Sequence, residues 1–138
     1  MNTATLERPV TERAGSGDPF AGLRAKRYLR LATYRRSGVP VATPVWFVEE
    51  NGRLYCRSDA TSGKAKRVRR TPRVRVAACT AWGAPRGADV AALARLLPPE
   101  HHTRVQALLL RKYGWQMRLF DRLRGHGDLV YVELTFEP

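Results

Sequence analysis

The sequence predicts a mainly β, α+β fold: a small antiparallel barrel with peripheral helices. Three observations carry it. Short β-prone runs follow one another at hairpin spacing, and Asn51-Gly52 between two of them is the strongest short hairpin signal. The helical patterns are few, and they lie between strands and toward the C-terminal end rather than alternating with every strand. A chain of 138 residues with 43% hydrophobic content is long enough for one core and too short for two.

Taken in order, residues 1–19 are rich in Thr, Glu, Arg, Gly and Ser without apolar periodicity, and are expected to form a disordered tail. Residues 20–138 then form the single domain. Residues 27–34 alternate and read as the first strand. Arg36-Ser37-Gly38 turns the chain into 39–49, with Val41, Thr43, Val45 and Phe47 on one face and Ala42, Trp46 and Val48 on the other, so both faces are expected to be covered. Pro44 removes a ladder donor, so that strand is expected to be interrupted or at an edge. The chain returns as a strand over 53–58. Thr61 or Ser62 caps a short basic helix, and Thr71-Pro72 stops it. Residues 73–81 alternate again, and 82–87 bend or break that strand. Composition favours a helix over 88–97, whereas position in a meander favours a strand. Pro98-Pro99-Glu100 opens a helix to Tyr113, Gly114 ends it, 115–123 form a second amphipathic helix, and 128–136 alternate as the last strand.

Charge narrows the function. The formal net charge is +13, which implies an anionic partner: nucleic acid, anionic lipid, or a small ligand with several negative charges. Eight of the 25 basic residues lie between Arg57 and Arg75. Lys64, Lys66 and Arg67 occupy the first turn of the short helix, where the dipole is already positive and a misplaced cation costs on the order of 0.3–1 kcal/mol. A bound anion reverses that sign, because amides, dipole and cations then converge on it. This turn therefore reads as a phosphate or carboxylate cradle, with a solvated basic helix as the competing reading. No apolar run reaches the roughly 20 residues of a membrane span, and no signal peptide is legible, so a cytoplasmic protein without a membrane partner is expected. Cys56 and Cys79 form no metal-ligand pattern and are expected as thiols, possible neighbours in one sheet. His101 and His102 project about 100° apart on a helix and lack further ligands, so no metal site is expected.

Four blocks together resemble a known superfamily: Thr43-Pro44-Val45-Trp46-Phe47, Asn51-Gly52-Arg53-Leu54-Tyr55, the run from Thr61 to Arg67, and Pro72-Arg73-Val74. They look like the flavin/deazaflavin oxidoreductases, which include pyridoxamine 5′-phosphate oxidase and the actinobacterial enzymes that use coenzyme F420. The Arg-Lys-Tyr-Gly-Trp stretch at 111–115 extends the match. The resemblance implies a pyridoxamine 5′-phosphate oxidase-like split β-barrel that forms a homodimer, with the cofactor ring in a groove at the subunit interface. It implies that Thr43, Pro44, Val45 and Trp46 present backbone to the ring and that Ser62, Gly63 and Lys64 bind the phosphate. Arg57 and Ser58 match positions that also contact cofactor. Trp82, Arg86 and Gly87 match a region that lines the groove, sometimes from the partner subunit. Arg67 shares the Lys64 face at i+3 and can reach the same anion.

One departure bears on the cofactor. Pyridoxamine phosphate oxidases typically carry Ser-Arg-Lys where this chain has Ser62-Gly63-Lys64. Lys66, Arg67 and Arg70 extend positive charge along the helix instead, which suits the longer anionic tail of F420 better than FMN. The implied function is hydride transfer from reduced deazaflavin to a small organic acceptor. Such chemistry is the cofactor's own, so no catalytic triad is expected, and neither Tyr34 nor Tyr55 is assigned as a proton donor. Trp115 is a candidate wall of the substrate pocket, with packing as its alternative. Two other classes remain: a cofactor carrier without turnover, and a nucleic-acid-binding barrel, against which the concentration of charge at one helix start argues.

Overall fold

The computed structural model describes residues 20–125 and 127–136, so the expected N-terminal tail lies outside the described residues. Seven strands form one antiparallel sheet: β1 (Leu29–Tyr34), β2 (Pro40–Val45), β3 (Phe47–Glu50), β4 (Arg53–Asp59), β5 (Arg73–Ala78), β6 (Val90–Leu96) and β7 (Leu129–Phe136). Three α-helices accompany them: α1 (Gly63–Arg70), α2 (His102–Tyr113) and α3 (Trp115–Arg124). The spatial order is β2-β1-β5-β6-β7-β4-β3. The two edge strands are thus consecutive in the chain and separated by Trp46 alone. A sheet whose opposite edges are joined by one residue must curl until they meet, and the result is a half-barrel.

Pro44 sits on the edge strand β2, opposite Arg30 of β1, as the missing donor requires. The single run 39–49 is in fact two strands. Its predicted two-sided burial holds where Phe47 enters the interior and Val48 packs outward, but Pro40 and Pro44 lie exposed. An edge strand with no sheet or helix beyond it has no reason to be covered on its outer face. The β3–β4 hairpin turns at Asn51 (φ 54°) and Gly52 (φ 78°), the left-handed pair that a type I′ turn demands. Residues 88–97 resolve as strand: β6 pairs with β5 and β7 on its two sides, and that pairing outweighs helix-prone alanines and leucines.

Two apolar clusters result. Leu29, Leu31, Phe47, Leu54, Val74, Val76 and Leu134 fill the interior of the curl, with Val68 of α1 packed among them. Val48, Tyr55, Val105, Leu109, Tyr113, Met117 and Tyr131 fill the space between the outer face of β3, β4 and β7 and the helices α2 and α3. Cys56 and Cys79 are buried thiols, and they are not neighbours, because β4 pairs only with β3 and β7. Among the described residues no helix is long and apolar enough to cross a membrane.

Candidate functional site

The meeting of the sheet edges creates the site. Tyr113, at the end of α2, reaches into the break between β2 and β3. Its hydroxyl accepts from the Phe47 amide at 2.9 Å and lies 2.7 Å from the Arg27 carbonyl and 2.8 Å from the Phe47 carbonyl. Its ring stacks on Trp46, with centroids 4.9 Å apart and planes 13° from parallel. One side chain therefore satisfies backbone groups that the interrupted ladder leaves bare, and fixes the indole at the same time. Burial pushes the Tyr113 hydroxyl up to about 12, against the opposing hydrogen bond from Phe47 and the charge of Arg27, so it stays protonated.

From this junction a cleft of about 480 Å³ runs to the start of α1. Pro44, Val45, Trp46, Tyr28, Phe120 and Leu129 make its apolar side, and Arg57, Ser58, Asp59, Ser62, Lys64 and Arg124 its polar side. Ser62 caps α1: its Oγ accepts from the Ala65 amide at 3.1 Å and lies 2.7 Å from Ser58 Oγ. The Gly63 and Lys64 amides have no partner among the described residues, as expected for a first turn. Lys64 likewise has no hydrogen bond or ion pair there.

Of the thirteen residues expected to bind cofactor, the fold brings seven to one cleft: Pro44, Val45, Trp46, Arg57, Ser58, Ser62 and Lys64. The others are placed differently. Thr43 shares the Val45 face of β2, and its Oγ1 is buried with no hydrogen-bond partner among the described residues. Gly63 lies beneath Arg67: a Cβ there would sit 2.7 Å from Arg67 Nη1. Arg67 also donates through Nε to Thr33 Oγ1 at 2.7 Å, so its guanidinium lies against β1 and the first turn of α1. Trp82 is 94% exposed, and neither it nor Arg86 nor Gly87 lines the cleft. Their loop nonetheless abuts the site, since a Cβ on Gly83 would be 3.5 Å from Pro44 Cδ. Trp115 is 70% exposed and does not line the cleft either.

Arg57 is not a free cation. Its Nη1 donates to Asp121 Oδ2 at 3.2 Å and to Gln106 Oε1 at 3.1 Å, and its Nη2 pairs with Asp121 Oδ1. Tyr28, Asp59, Ala81, Phe120, Arg124 and Leu129 are cleft residues that sequence reasoning missed. Phe120 alone had a signal, an aromatic on an amphipathic helix. Its ring does pack, 5.6 Å from Trp46, and lines the cleft as well. His102 is engaged away from the cleft, with Nε2 3.1 Å from the Leu97 carbonyl. No cluster of three metal-ligating side chains occurs among the described residues.

Known structures share this architecture. A conserved hypothetical protein of Mycobacterium tuberculosis superposes with a TM-score of 0.64 at 23% identity, covering 84% of this chain and 76% of its own. A FAD-binding protein of Mesorhizobium loti gives 0.62 at 20%, covering 84% and 83%. The heme storage protein HutZ of Vibrio cholerae gives 0.65 at 18%, covering 83% and 84%. At these identities the likeness is one of fold. No curated protein matches the chain. The sequence of residues 20–138, the whole of the barrel with all three helices, matches the pyridoxamine 5′-phosphate oxidase family, and the chain belongs to that family.

Proposed function

We propose that this chain is a cytoplasmic oxidoreductase that uses coenzyme F420 and reduces a small organic acceptor, working as a homodimer with the cofactor at the subunit interface. Lys64 is the observation that carries the reading. It is a cation at the start of a helix, beside a capping serine and two amides that, like Lys64 itself, have no partner among the described residues, on the polar side of a cleft whose other side is apolar. An anionic group on a planar, largely apolar ring system complements both ends at once.

The residues fit such a group. Ser62, Lys64 and the free amides of Gly63 and Lys64 would hold its phosphate, and Pro44, Val45 and Trp46 would face its ring. When bound, the deazaflavin supplies the hydride, and the protein supplies position and shielding. Trp46, Phe120 and Leu129 exclude water from the apolar side. Lys66, Arg67 and Arg70 provide charge for a tail: Arg67 and Arg70 spend a donor each on neutral oxygens of Thr33 and Tyr34 and keep their full charge. The described cleft lining offers no histidine, cysteine or methionine as a heme axial ligand, and Tyr28 is its one tyrosine.

FMN is the second reading, favoured by one contact. The guanidinium that related motifs carry at the position of Gly63 is supplied here by Arg67 from one turn further on, which restores a compact phosphate site. Titrating the protein with purified F420 and with FMN, while following tryptophan quenching, separates the two. F420 is expected to bind the more tightly, and Lys64→Ala to weaken it by at least tenfold with an unchanged melting temperature. Binding of FMN with no response to F420 removes the preferred reading. A Lys64→Ala protein with unaltered affinity removes the cradle. Hydride transfer to an artificial acceptor distinguishes an enzyme from a carrier, and absorbance confined to the ultraviolet in the purified protein would point to nucleic acid instead.

A further inference from the structure

The α3 helix closes one wall of the cleft through charge more than through packing. Among its ten residues Met117 alone is buried. Its polar side is tied to β4 twice: Asp121 grips Arg57 with both carboxylate oxygens, and Arg124 Nη1 donates to Asp59 Oδ1 at 3.1 Å. Arg57, Asp59, Phe120 and Arg124 all line the cleft. The Arg57 side chain is 7% exposed, held between Asp121 and Gln106 at the cleft wall.

A planar guanidinium gripped by two carboxylate oxygens is in the arrangement it would adopt with the carboxylate or phosphate of a ligand. We infer that Asp121 is an internal competitor at this site, occupying the fork of Arg57 until an anionic group of the bound molecule displaces it. The inference rests on the reading that an anionic cofactor enters the cleft. Displacement strands no charge. Arg124 Nε lies 3.8 Å from Asp121 Oδ1, one turn along the same helix, so the released carboxylate has a second cation at hand. Arg57 passes from one anion to another and keeps Gln106 throughout. The exchange favours ligands that bring an anion to this wall and offers nothing to neutral ones. It also loosens α3, because one of its two ionic ties to β4 is then broken. Asp121 is thus a specificity-determining residue that acts through Arg57 and touches no reacting atom.

The test compares the full chain, Asp121→Asn, and Asp121→Asn combined with Arg57→Gln. Each is titrated calorimetrically with inorganic pyrophosphate, coenzyme F420 and riboflavin. Asp121→Asn is expected to bind pyrophosphate and F420 roughly fivefold more tightly, the upper end for one released ion pair. Adding Arg57→Gln should abolish that gain, and riboflavin, which has no phosphate, should show none. In the unmodified protein, saturating pyrophosphate should also raise amide hydrogen exchange across Trp115–Arg124, a readout that requires no variant. Equal or weaker anion binding by a normally folded Asp121→Asn overturns the inference, as does unchanged exchange in α3 should that variant fold poorly. The two readings fail separately. Tight F420 binding that is identical with and without Asp121 leaves the cofactor proposal and removes the competitor. A pyrophosphate gain with no F420 binding by any variant does the reverse.

Discussion

Lys112 illustrates how far a residue's surroundings can depart from what its type suggests. Its ammonium lies 3.8 Å from the centroid of the Phe47 ring and 5.3 Å from that of Tyr113, buried and without a hydrogen-bond partner among the described residues. Burial, with the nearby charge of Arg27, pushes it down to about 8 from its ordinary 10.5. The two rings return part of the lost solvation through their negative faces. Between those two values the unfolded chain binds more protons than the folded one, so this residue's contribution to stability improves as pH rises from 8 to 10.5. Below pH 8 the full penalty stands. Replacing Lys112 with Met keeps the aliphatic volume and removes the charge. With the half-buried setting discounted for solvent screening, the gain at pH 7 is about 1 kcal/mol, or roughly 3–5 °C in melting temperature. Thermal melts at pH 7 and pH 10.5 check this, since the advantage should disappear at the higher pH. A variant that melts lower at pH 7 would mean the cation–π contacts outweigh the burial. Nothing in Arg111-Lys112-Tyr113-Gly114 announces an enclosed lysine, because the enclosing ring of Phe47 comes from a strand far away in sequence.

Among the elements, the break at Trp46 decides the most and is the least legible. Residues 39–49 form one unbroken β-prone run with no turn residue between Val45 and Phe47. Only the pairing reveals that Val45 belongs to one edge of the sheet, opposite Leu29, and Phe47 to the other, opposite Cys56. Local signals did better where local physics decides. The Ser62 cap, the Asn51-Gly52 hairpin and the two C-terminal helices follow from side chains acting within a few residues of themselves. The Arg57–Asp121 pair joins positions 64 residues apart, beyond the reach of any spacing rule. The same holds for Phe120 against Trp46. Because Tyr113 is the one side chain among the described residues that bonds the backbone at the break, Tyr113→Phe isolates its contribution. The stacked ring remains, while the buried Phe47 amide loses its partner, at a cost of about 1–3 kcal/mol. Chemical denaturation should register that loss, and cofactor affinity should fall with it, since Val45 and Trp46 lose their anchor. Lower stability with unchanged affinity would show that the junction holds its shape without the hydroxyl.

At the scale of the whole molecule, two properties pull against each other. The chain carries a formal charge of +13, yet it exposes Trp82, Trp115 and Leu123 at 94%, 70% and 78%. Large apolar groups left in water gain from being buried against a partner, and strongly basic bodies repel one another. Trp82 follows Ala81 of the cleft wall, in the loop that abuts Pro44, so a second protomer docking there would shelter the indole and bound the cleft together. Repulsion between protomers acts over long distances and is screened beyond roughly 8–10 Å at physiological salt, whereas apolar contact is not weakened by it. The expected behaviour is therefore the opposite of a salt-bridged dimer. In sedimentation, the protein should run at twice the 15.6 kDa protomer mass, and more completely at high than at low ionic strength. In the proposed dimer an anionic cofactor at the interface would neutralise the same charges, so it should tighten that dimer most at low salt. Trp82→Ser should shift the equilibrium toward protomers and leave the protomer's melting temperature unchanged, because the indole packs against little within one chain. A protein that sediments as a protomer under all these conditions, or a dimer that salt dissociates, would place the cofactor site within a single barrel and leave the exposed indole without a role in it.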